Sequence, residues 1–361
     1  MTSTPEQIRR ESAAKQLIEL KLDALLISSL HNVRYLTGFT GSSANVLLFR
    51  DGHAVLFTDP RYTVQSKQQV NCAIRIAKGQ LTKSVTREIA RTRIEKVGFE
   101  REHINVARME GLKKALPSKA NLIAAPEAAI AKLRMIKDDG EIALIRTAVN
   151  LNSRALELAL KRFKPGMTET ALAAEIEYQS RKLGAEGPAF DTIVAAGVRA
   201  ALPHAQPGRT KIGPGMLLID MGAFCDGYAS DMTRMVHIGP ADAKYKQAYT
   251  AVLEAQLAAI AAVRPGATAA SVDRAARNTL KQHGLDREFV HSTGHGLGLE
   301  IHEAPRLGKS EKTKLEAGMT ITIEPGVYIE GWGGIRIEDT VLVTKSGCEI
   351  LTPTPKDLLE V

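Results

Sequence analysis

The chain has 361 residues, of which 44% are hydrophobic and 24% are charged, and its formal net charge is +8. This composition is typical of a folded globular protein and argues against a disordered one. The length suffices for two domains with sizeable cores. The three cysteines are far apart and match no disulfide or zinc pattern, which favours a reducing compartment.

The positive charge is concentrated in the first third of the chain. Residues 1–130 hold 20 lysines and arginines against 12 acidic residues, whereas residues 131–361 hold 28 of each. A basic domain can bind nucleic acid, but these basic residues are scattered singly without interleaved aromatics, so we expect no nucleic-acid partner. The sequence shows no signal peptide and no apolar run of about 18 residues, so we expect a cytoplasmic protein without membrane contact.

Alternating strand and helix patterns fill the amino-terminal part. Short apolar runs at 22–29, 44–49 and 54–59 predict strands, and helical spacing at 82–97 and 106–116 predicts helices. The glycine-containing stretch YLTGFTGSS at 35–43 predicts a tight loop. We therefore predict a compact α/β domain over residues 1–130 and a second domain over 131–361.

The second domain begins with a long helical pattern at 133–163, for which Asp138 or Asp139 is a plausible N-cap. Pro165 and Gly166 end it. The apolar run at 251–263 is interrupted by charged and amide side chains, so it predicts a packed helix rather than a membrane span.

An internal repeat organises the second domain. FKPGMTETALAAE begins at Phe163 and VRPGATAASVDRA begins at Val263, and each contains Pro-Gly-x-Thr followed by a helical pattern. Thr168 and Thr268 are natural N-caps. A Gly-Met pair, an apolar strand and an acid follow in each copy, at 213–222 and 316–326, and then a further strand, at 228–239 and 333–343. This repeat predicts two related halves that meet around one site with pseudo-two-fold symmetry.

Each copy places two acids on its apolar strands, namely Asp220 and Asp231 in the first and Glu324 and Glu338 in the second. Burial of an ionised carboxylate costs free energy. Neighbouring buried carboxyl groups therefore either share a cation or become protonated because they raise one another's pKa. Single acids of this kind are often solvated strand ends. Four at matching places in a repeat predict a shared site.

Residues 292–303, STGHGLGLEIHE, suggest either a phosphate loop or a metal site. A phosphate loop requires GxGxxG between a strand and a helix, whereas the spacing here is GxGxG. His295 therefore joins the four acids as a fifth ligand. Four carboxylates with one imidazole suit a pair of divalent ions, with Mn²⁺, Co²⁺, Fe²⁺ and Zn²⁺ as candidates.

The motifs ID-(x10)-D, GHGLGLEIHE, IEPG and GIRIED, in this order, resemble the pita-bread metallopeptidases of family M24, which include methionine and Xaa-Pro aminopeptidases and Xaa-Pro dipeptidases (prolidases). The resemblance extends from about Leu133 to Leu351. Residues 22–49 resemble the creatinase/prolidase-type amino-terminal domain, which favours the proline-specific branch. The resemblance implies a small creatinase-like domain followed by a pita-bread catalytic domain, an α/β (α+β) protein overall.

The resemblance also implies a role for each site residue. Asp220, Asp231, His295, Glu324 and Glu338 would bind two metal ions, with Mn²⁺ preferred, and Glu324 would also serve as the base. His204 would act near the scissile bond and His302 on the carbonyl oxygen, so both are catalytic and substrate-contacting candidates. His291 would line the substrate pocket, and Arg336 would orient an acidic ligand and contact substrate.

We therefore expect an Xaa-Pro aminopeptidase that forms a homodimer and acts on proline-containing peptides. Three alternatives stay open. One is an Xaa-Pro dipeptidase, which would need a cationic group for the free carboxylate of its substrate. The second is a pita-bread binding module without peptidase activity. The third, a metal-free creatinase-like hydrolase, is disfavoured because all five ligand positions carry ligand residues.

Overall fold

The computed structural model describes residues 3–126 and 128–361. These residues form a mixed α/β structure, as predicted, that divides into two compact units. One unit extends to Arg134, and the other comprises Met135–Val361. None of the helices in the described ranges combines the length and apolarity that crossing a membrane requires.

The first unit contains a six-stranded sheet in the order β4-β3-β2-β1-β5-β6. Its strands are β1 (Ala24–Ile27), β2 (Ala44–Phe49), β3 (Ala54–Thr58), β4 (Ala73–Ile76), β5 (Lys96–Glu100) and β6 (Asn121–Ala125). Its helices are α1 (Pro5–Glu19), α2 (Leu30–Thr37), α3 (Thr63–Gln69), α4 (Leu81–Thr92) and α5 (Val106–Ala115), and α6 (Ala128–Met135) follows at its end. Strands β1 to β3 pair antiparallel and the outer strands pair parallel.

The predicted strands of this unit are confirmed, and two other predictions need correction. The loop predicted at 35–43 is wrong for its first three residues, because helix α2 continues to Thr37 and ends at Gly38, whose φ of 75° favours glycine. The helix predicted over 82–97 ends at Thr92, where Arg93 takes a left-handed conformation, and the chain then enters β5.

The second unit begins with α7 (Asp139–Leu160) and α8 (Glu169–Lys182), and α9 (Ala243–Ala262) and α10 (Ala269–Gln282) repeat this pair. The N-cap of α7 is Asp138, which forms a capping box with Glu141. Because Asp138 has an extended backbone, the helix predicted over 133–163 is two helices, α6 and α7. The packed helix predicted around 251–263 is confirmed as part of α9.

The strands of the second unit form two main sheets and two small ones, in the orders β20-β12-β9-β8, β14-β13-β15-β18-β19, β11-β10-β7 and β16-β17. In the first half they are β7 (Gly187–Pro188), β8 (Ile193–Ala196), β9 (Gly215–Met221), β10 (Ala223–Cys225), β11 (Tyr228–Ala229) and β12 (Met232–Ile238). In the second half they are β13 (Gly294–Gly296), β14 (Glu303–Leu307), β15 (Thr320–Ile323), β16 (Gly326–Ile329), β17 (Gly333–Arg336), β18 (Asp339–Val343), β19 (Cys348–Ile350) and β20 (Leu359–Glu360).

The internal repeat is present in the structure. Thr168 and Thr268 each accept a hydrogen bond from the backbone three residues later, and each begins a helix of 14 residues. Each also forms an isolated antiparallel bridge, with Lys211 and Lys314 respectively. The succession β8-β9-β12 in one sheet matches β13-β15-β18 in the other. Helices α9 and α10 pack their apolar faces on the second sheet, and α7 and α8 contribute to a second core around β9 and β12.

The strands predicted at 228–239 and 333–343 are both interrupted. The first breaks between β11 and β12, and the second breaks between β17 and β18. At these breaks the backbone bonds to the other half of the repeat, since Glu338 N donates to Thr233 O at 3.2 Å and Thr340 Oγ1 donates to Asp231 O at 3.1 Å. Asp231 and Glu338, the acids predicted on these strands, therefore lie where the two halves join.

Candidate metal centre

Matching elements of the two halves carry the five predicted ligands. Asp220 is the next-to-last residue of β9, and Glu324 follows the last residue of β15. Asp231 and Glu338 each directly precede a return strand, β12 and β18. His295 lies in the middle of β13, the strand that pairs with β15.

The imidazole of His295 faces the acids. Its Nε2 lies 3.5 Å from Asp231 Oδ2 and 3.3 Å from Glu324 Oε1. Its Nδ1 lies 3.0 Å from the carbonyl oxygen of Gly296, which fixes the ring and leaves Nε2 as the nitrogen available to an ion. Possible ligand atoms of Asp231, His295 and Glu338 all lie within 4.8 Å of one another, a spacing that suits one shared cation.

In two of the acids, one carboxylate oxygen accepts a hydrogen bond and the other accepts none from the described residues. Glu338 Oε2 accepts from the Thr233 hydroxyl at 2.8 Å, and Asp220 Oδ2 accepts from Arg336 Nη2 at 2.5 Å. Glu338 Oε1 and Asp220 Oδ1 are buried, and no described residue hydrogen-bonds to either. A buried carboxylate oxygen without a donor is costly, and a divalent cation would satisfy both atoms.

The raised pKa values of the clustered carboxyl groups also indicate a site that a cation would stabilise. Burial raises the pKa of Asp231 and of Glu338 well above the usual carboxyl values, and neighbouring carboxylates raise them further. Burial likewise raises the pKa of Glu324, although His295 and Arg336 act in the opposite direction. Divalent ions would reverse this effect and keep the acids ionised. The residues present therefore fit the metal-dependent site predicted from the sequence.

Arg336 is 3% exposed, and four hydrogen bonds to the surrounding protein hold its guanidinium. Besides Asp220, it donates to the Thr233 hydroxyl at 3.0 Å, the Tyr328 hydroxyl at 2.6 Å and the carbonyl oxygen of Pro203 at 3.2 Å. These contacts fit the predicted orienting of an acid. Direct contact between Arg336 and substrate stays a prediction.

The three histidines predicted to contact substrate lie around this cluster. The ring centroid of His302 is 4.4 Å from that of His295, and burial lowers the pKa of His302. His204 is exposed, close enough to His302 and His291 to lower their pKa values, and its ring forms no hydrogen bond within the described ranges. His291 bonds through Nδ1 to Ser292 O at 2.8 Å and through Nε2 to the Tyr328 hydroxyl at 2.9 Å.

Some supporting residues were missed by the sequence reasoning. Tyr328 links His291 to Arg336, and burial raises its pKa to about 12. Thr322 donates to Glu324 Oε1 at 3.1 Å and accepts from the backbone of His295 at 3.1 Å. Alternation along β15 and β16 could have placed both side chains beside the acids. Their partners could not be read from the sequence.

Two further residues beside the sequence motifs have structural contacts. Glu303, the last residue of STGHGLGLEIHE, pairs with Lys137 Nζ at 2.6 Å, and both side chains are buried. Trp332 is partly buried against the core, with Lys244 Nζ 4.8 Å from its ring centroid, so it is a packing residue.

A buried group of acids and one imidazole between the halves of a repeated α/β unit defines a metal-dependent enzyme. The family model for metallopeptidase family M24 matches residues 143–345, and that for the creatinase/prolidase amino-terminal domain matches residues 9–136. The chain belongs to metallopeptidase family M24, has the pita-bread fold, and is a hydrolase of the prolidase branch.

Similar proteins support this membership over the whole length. An Xaa-Pro dipeptidase from Pyrococcus horikoshii is 37% identical over 96% of this chain and 98% of its own. The structure of an Xaa-Pro dipeptidase from Bacillus anthracis superposes with a TM-score of 0.95 at 36% identity, covering 99% of this chain and 100% of that one. An X-Pro aminopeptidase from Thermotoga maritima gives a TM-score of 0.89 at 36% identity, covering 96% of this chain and 100% of that one.

Proposed function

We propose that this metallopeptidase is an Xaa-Pro dipeptidase with two divalent metal ions, Mn²⁺ being the first candidate. The relatives named as dipeptidases favour this alternative over the aminopeptidase predicted from the sequence. The observation that carries the proposal is an exposed arginine on the strand that pairs with His295, which has no hydrogen bond or ion pair among the described residues, because a dipeptide presents a free carboxylate one residue after the scissile bond.

That arginine is Arg306 on β14. It pairs across the strands with His295, and directly paired residues of antiparallel strands project to the same face. Arg306 and His291 line one cavity of about 820 Å³. No described residue forms a hydrogen bond or an ion pair with the Arg306 guanidinium. A guanidinium binds a carboxylate through two parallel hydrogen bonds.

In the proposed reaction, ions held by the five predicted ligands would lower the pKa of the attacking water and polarise the scissile carbonyl. Glu324, held by the Thr322 hydroxyl, takes a proton from the water as its oxygen adds to the carbonyl carbon. His302, whose pKa is lowered by burial, donates a ring N–H to the carbonyl oxygen. His204 delivers a proton to the proline nitrogen as the C–N bond breaks.

The test compares Ala-Pro, Ala-Pro-amide and Ala-Pro-Ala, each with chelated protein and after addition of Mn²⁺, Co²⁺ or Zn²⁺. We expect metal-dependent cleavage that strongly favours Ala-Pro. Arg306→Gln should raise the KM for Ala-Pro by about 10- to 100-fold, because a hydrogen bond to a charged group contributes about 1.5–3 kcal/mol. It should change cleavage of the amide little.

Lys309→Gln is the matched control, since Lys309 lines the same cavity and loses the same charge. Equal or faster cleavage of Ala-Pro-Ala, with Arg306→Gln behaving like Lys309→Gln, would favour the aminopeptidase instead. Absence of cleavage together with absence of bound metal would favour the binding module. The homodimer stays a prediction, which light scattering of the purified protein can check.

A further inference from the structure

Arg234 lies two residues beyond the start of β12 and is 4% exposed, yet none of its hydrogen bonds goes to a side chain of the five predicted ligands or of a histidine. All five N–H groups of its guanidinium are used. Nη1 donates to the carbonyl oxygens of Thr233, at 3.0 Å, and of Glu338. Nη2 donates to Asp339 Oδ1 at 2.8 Å, and the remaining two donors reach the chain near the carboxyl terminus.

Those two bonds go to backbone carbonyls of the segment Pro353–Lys356. Nη2 donates to Thr354 O at 2.6 Å, and Nε donates to Pro355 O at 3.0 Å. The next residue, Lys356, extends its Nζ back to within 2.5 Å of Asp339 Oδ2. One buried guanidinium and one buried carboxylate thus join three segments: β12, the start of β18 and the segment Pro353–Lys356.

Two of these segments carry predicted metal ligands at the point of contact. Asp231 precedes β12, and Glu338 is the residue whose carbonyl oxygen Arg234 holds. The amide of Glu338 donates to Thr233 O, so its backbone is fixed on both sides. Its carboxylate is then fixed by the Thr233 hydroxyl, which leaves Oε1 as the atom free to bind an ion.

Stability alone is a weak reason for this arrangement. A buried ion pair often contributes little net stability, because desolvation offsets the attraction between the charges. Apolar residues of similar volume could fill the same space. A planar group with five donors does something that apolar residues cannot, since it sets the distances and angles between the backbones it joins.

We propose that Arg234 is a positioning residue for the metal centre, which sets the spacing between Asp231 and Glu338, and that the segment Pro353–Lys356 is part of this device. The inference rests on the proposed function, in which these two acids are among the ligands of the two ions. The network acts through backbone carbonyls and touches neither substrate nor metal. Loss of this network should therefore reduce metal affinity and kcat more than it affects substrate binding.

The test uses Arg234→Lys, Arg234→Met and Lys356→Met in the full chain. Metal content and affinity are measured by elemental analysis and calorimetry with Mn²⁺, and the coupling of the two Mn²⁺ ions by electron paramagnetic resonance. Loss of a residue that supports a metal ligand typically weakens metal binding by about 10- to 100-fold. We expect that effect in Arg234→Met, a smaller one in Arg234→Lys and the smallest in Lys356→Met, with kcat reduced and KM nearly unchanged.

Leu172→Ala provides a control for general destabilisation, because Leu172 is fully buried in α8, a helix that carries none of the predicted ligands. It should lower stability and leave metal affinity as in the wild type. Free guanidinium offers a rescue of Arg234→Ala, since Arg234 lines a cavity of about 590 Å³ through which a small cation can enter. Millimolar guanidinium should restore metal affinity in this variant, and equal concentrations of ammonium should not.

Wild-type affinity and ion coupling in Arg234→Lys and Lys356→Met would overturn the inference. These two variants decide the matter if Arg234→Met does not fold. Failure of the wild type to bind two ions would instead contradict the proposed function on which the inference rests. Weak metal binding in Leu172→Ala equal to that in Arg234→Met would also overturn it, because the effect would then follow stability alone.

Discussion

The two halves of the second unit share one architecture but contribute different chemistry. The two halves can be aligned on the Gly-Met pair at the start of β9 and the Gly-Met pair just before β15. Ala195 and Gly296 then occupy equivalent positions, since each pairs with the residue three places after the glycine of its own half. The position equivalent to His295 is therefore Val194, which is fully buried. Among the predicted metal ligands, the first half thus supplies only carboxylates, and the second half adds the imidazole.

Glycine explains how the second half accommodates a histidine on that strand. A Cβ atom on Gly294 would lie 1.9 Å from Thr322 O, and one on Gly296 would lie 2.3 Å from Ala304 O. At the equivalent positions the first half has Ile193 and Ala195, so its strands leave room for side chains. The close approach of backbones around β13 lets His295 reach acids from both halves. The repeat therefore determines the arrangement of the strands, and the close backbone packing around β13 in the second half brings His295 to the acids.

Both halves also fix this strand with a buried acid from the second helix. Glu169 of α8 accepts from the backbone amide of Ala196 at 2.9 Å, and Asp273 of α10 accepts from the Thr293 hydroxyl at 2.9 Å. Each of these acids also pairs with an arginine. Both halves thus stabilise this strand with a buried acid, whereas only the second half has a predicted metal ligand, His295, on it.

Removal of the acids at the junction tests the comparison most strongly. Glu338→Ala or Asp231→Ala should reduce kcat/KM by about 10³-fold or more, because bound metal contributes several kcal/mol to transition-state stabilisation. Glu338→Asp should also fail to restore activity, since the shorter side chain cannot both reach an ion and keep its bond to Thr233. Glu349→Asp, on an exposed acid, is the control. Activity of Glu338→Ala within tenfold of the wild type would contradict the assignment.

An exchange of alanine and glycine tests the crowding argument. Gly296→Ala should destabilise the protein by about 1–3 kcal/mol and weaken Mn²⁺ binding, because the new methyl group must displace the backbone beside His295. Ala195→Gly, the equivalent change in the first half, should cost about 0.5–1 kcal/mol and leave Mn²⁺ binding unchanged. Urea unfolding and calorimetry measure both effects. Equal loss of metal affinity in the two variants would show that the halves are not distinguished by crowding.

The repeat could be predicted from the sequence because short local motifs define it. Thr168 and Thr268 are N-caps, and glycine, Gly-Met and acid positions recur at fixed places, so the paired halves and the set of candidate ligands followed from spacing. Long-range contacts were not accessible in this way. Arg234 and Tyr328 look like ordinary strand residues, but Arg234 donates to a carbonyl oxygen more than 100 residues away, and the Tyr328 hydroxyl bonds to an imidazole about 40 residues away. The breaks at Asp231 and Glu338 were missed because period-two patterns continue through them.

The two halves also differ at a partly buried histidine that the first half lacks. Counting back from Val194 and His295 makes Phe190 the equivalent of His291, so only the second half has an ionisable ring there. Burial lowers the pKa of His291 to about 4, against about 6.5 in an unfolded chain. Between these values the unfolded chain binds a proton that the folded one does not, so stability falls as the pH decreases from 6.5 to 4.

This loss amounts to at most about 3.5 kcal/mol, because the two pKa values differ by about 2.5 and each pKa unit corresponds to about 1.4 kcal/mol. His291→Gln cannot take up the proton. Urea unfolding of metal-free wild type and His291→Gln at pH 7.5 and pH 4.5 therefore isolates the contribution of His291 from that of the acids. The wild type should be the more stable of the two at pH 7.5, and its advantage should shrink or reverse at pH 4.5. An advantage independent of pH would mean that the hydrogen bonds of His291 to Ser292 and Tyr328, and not its burial as a neutral ring, determine its contribution.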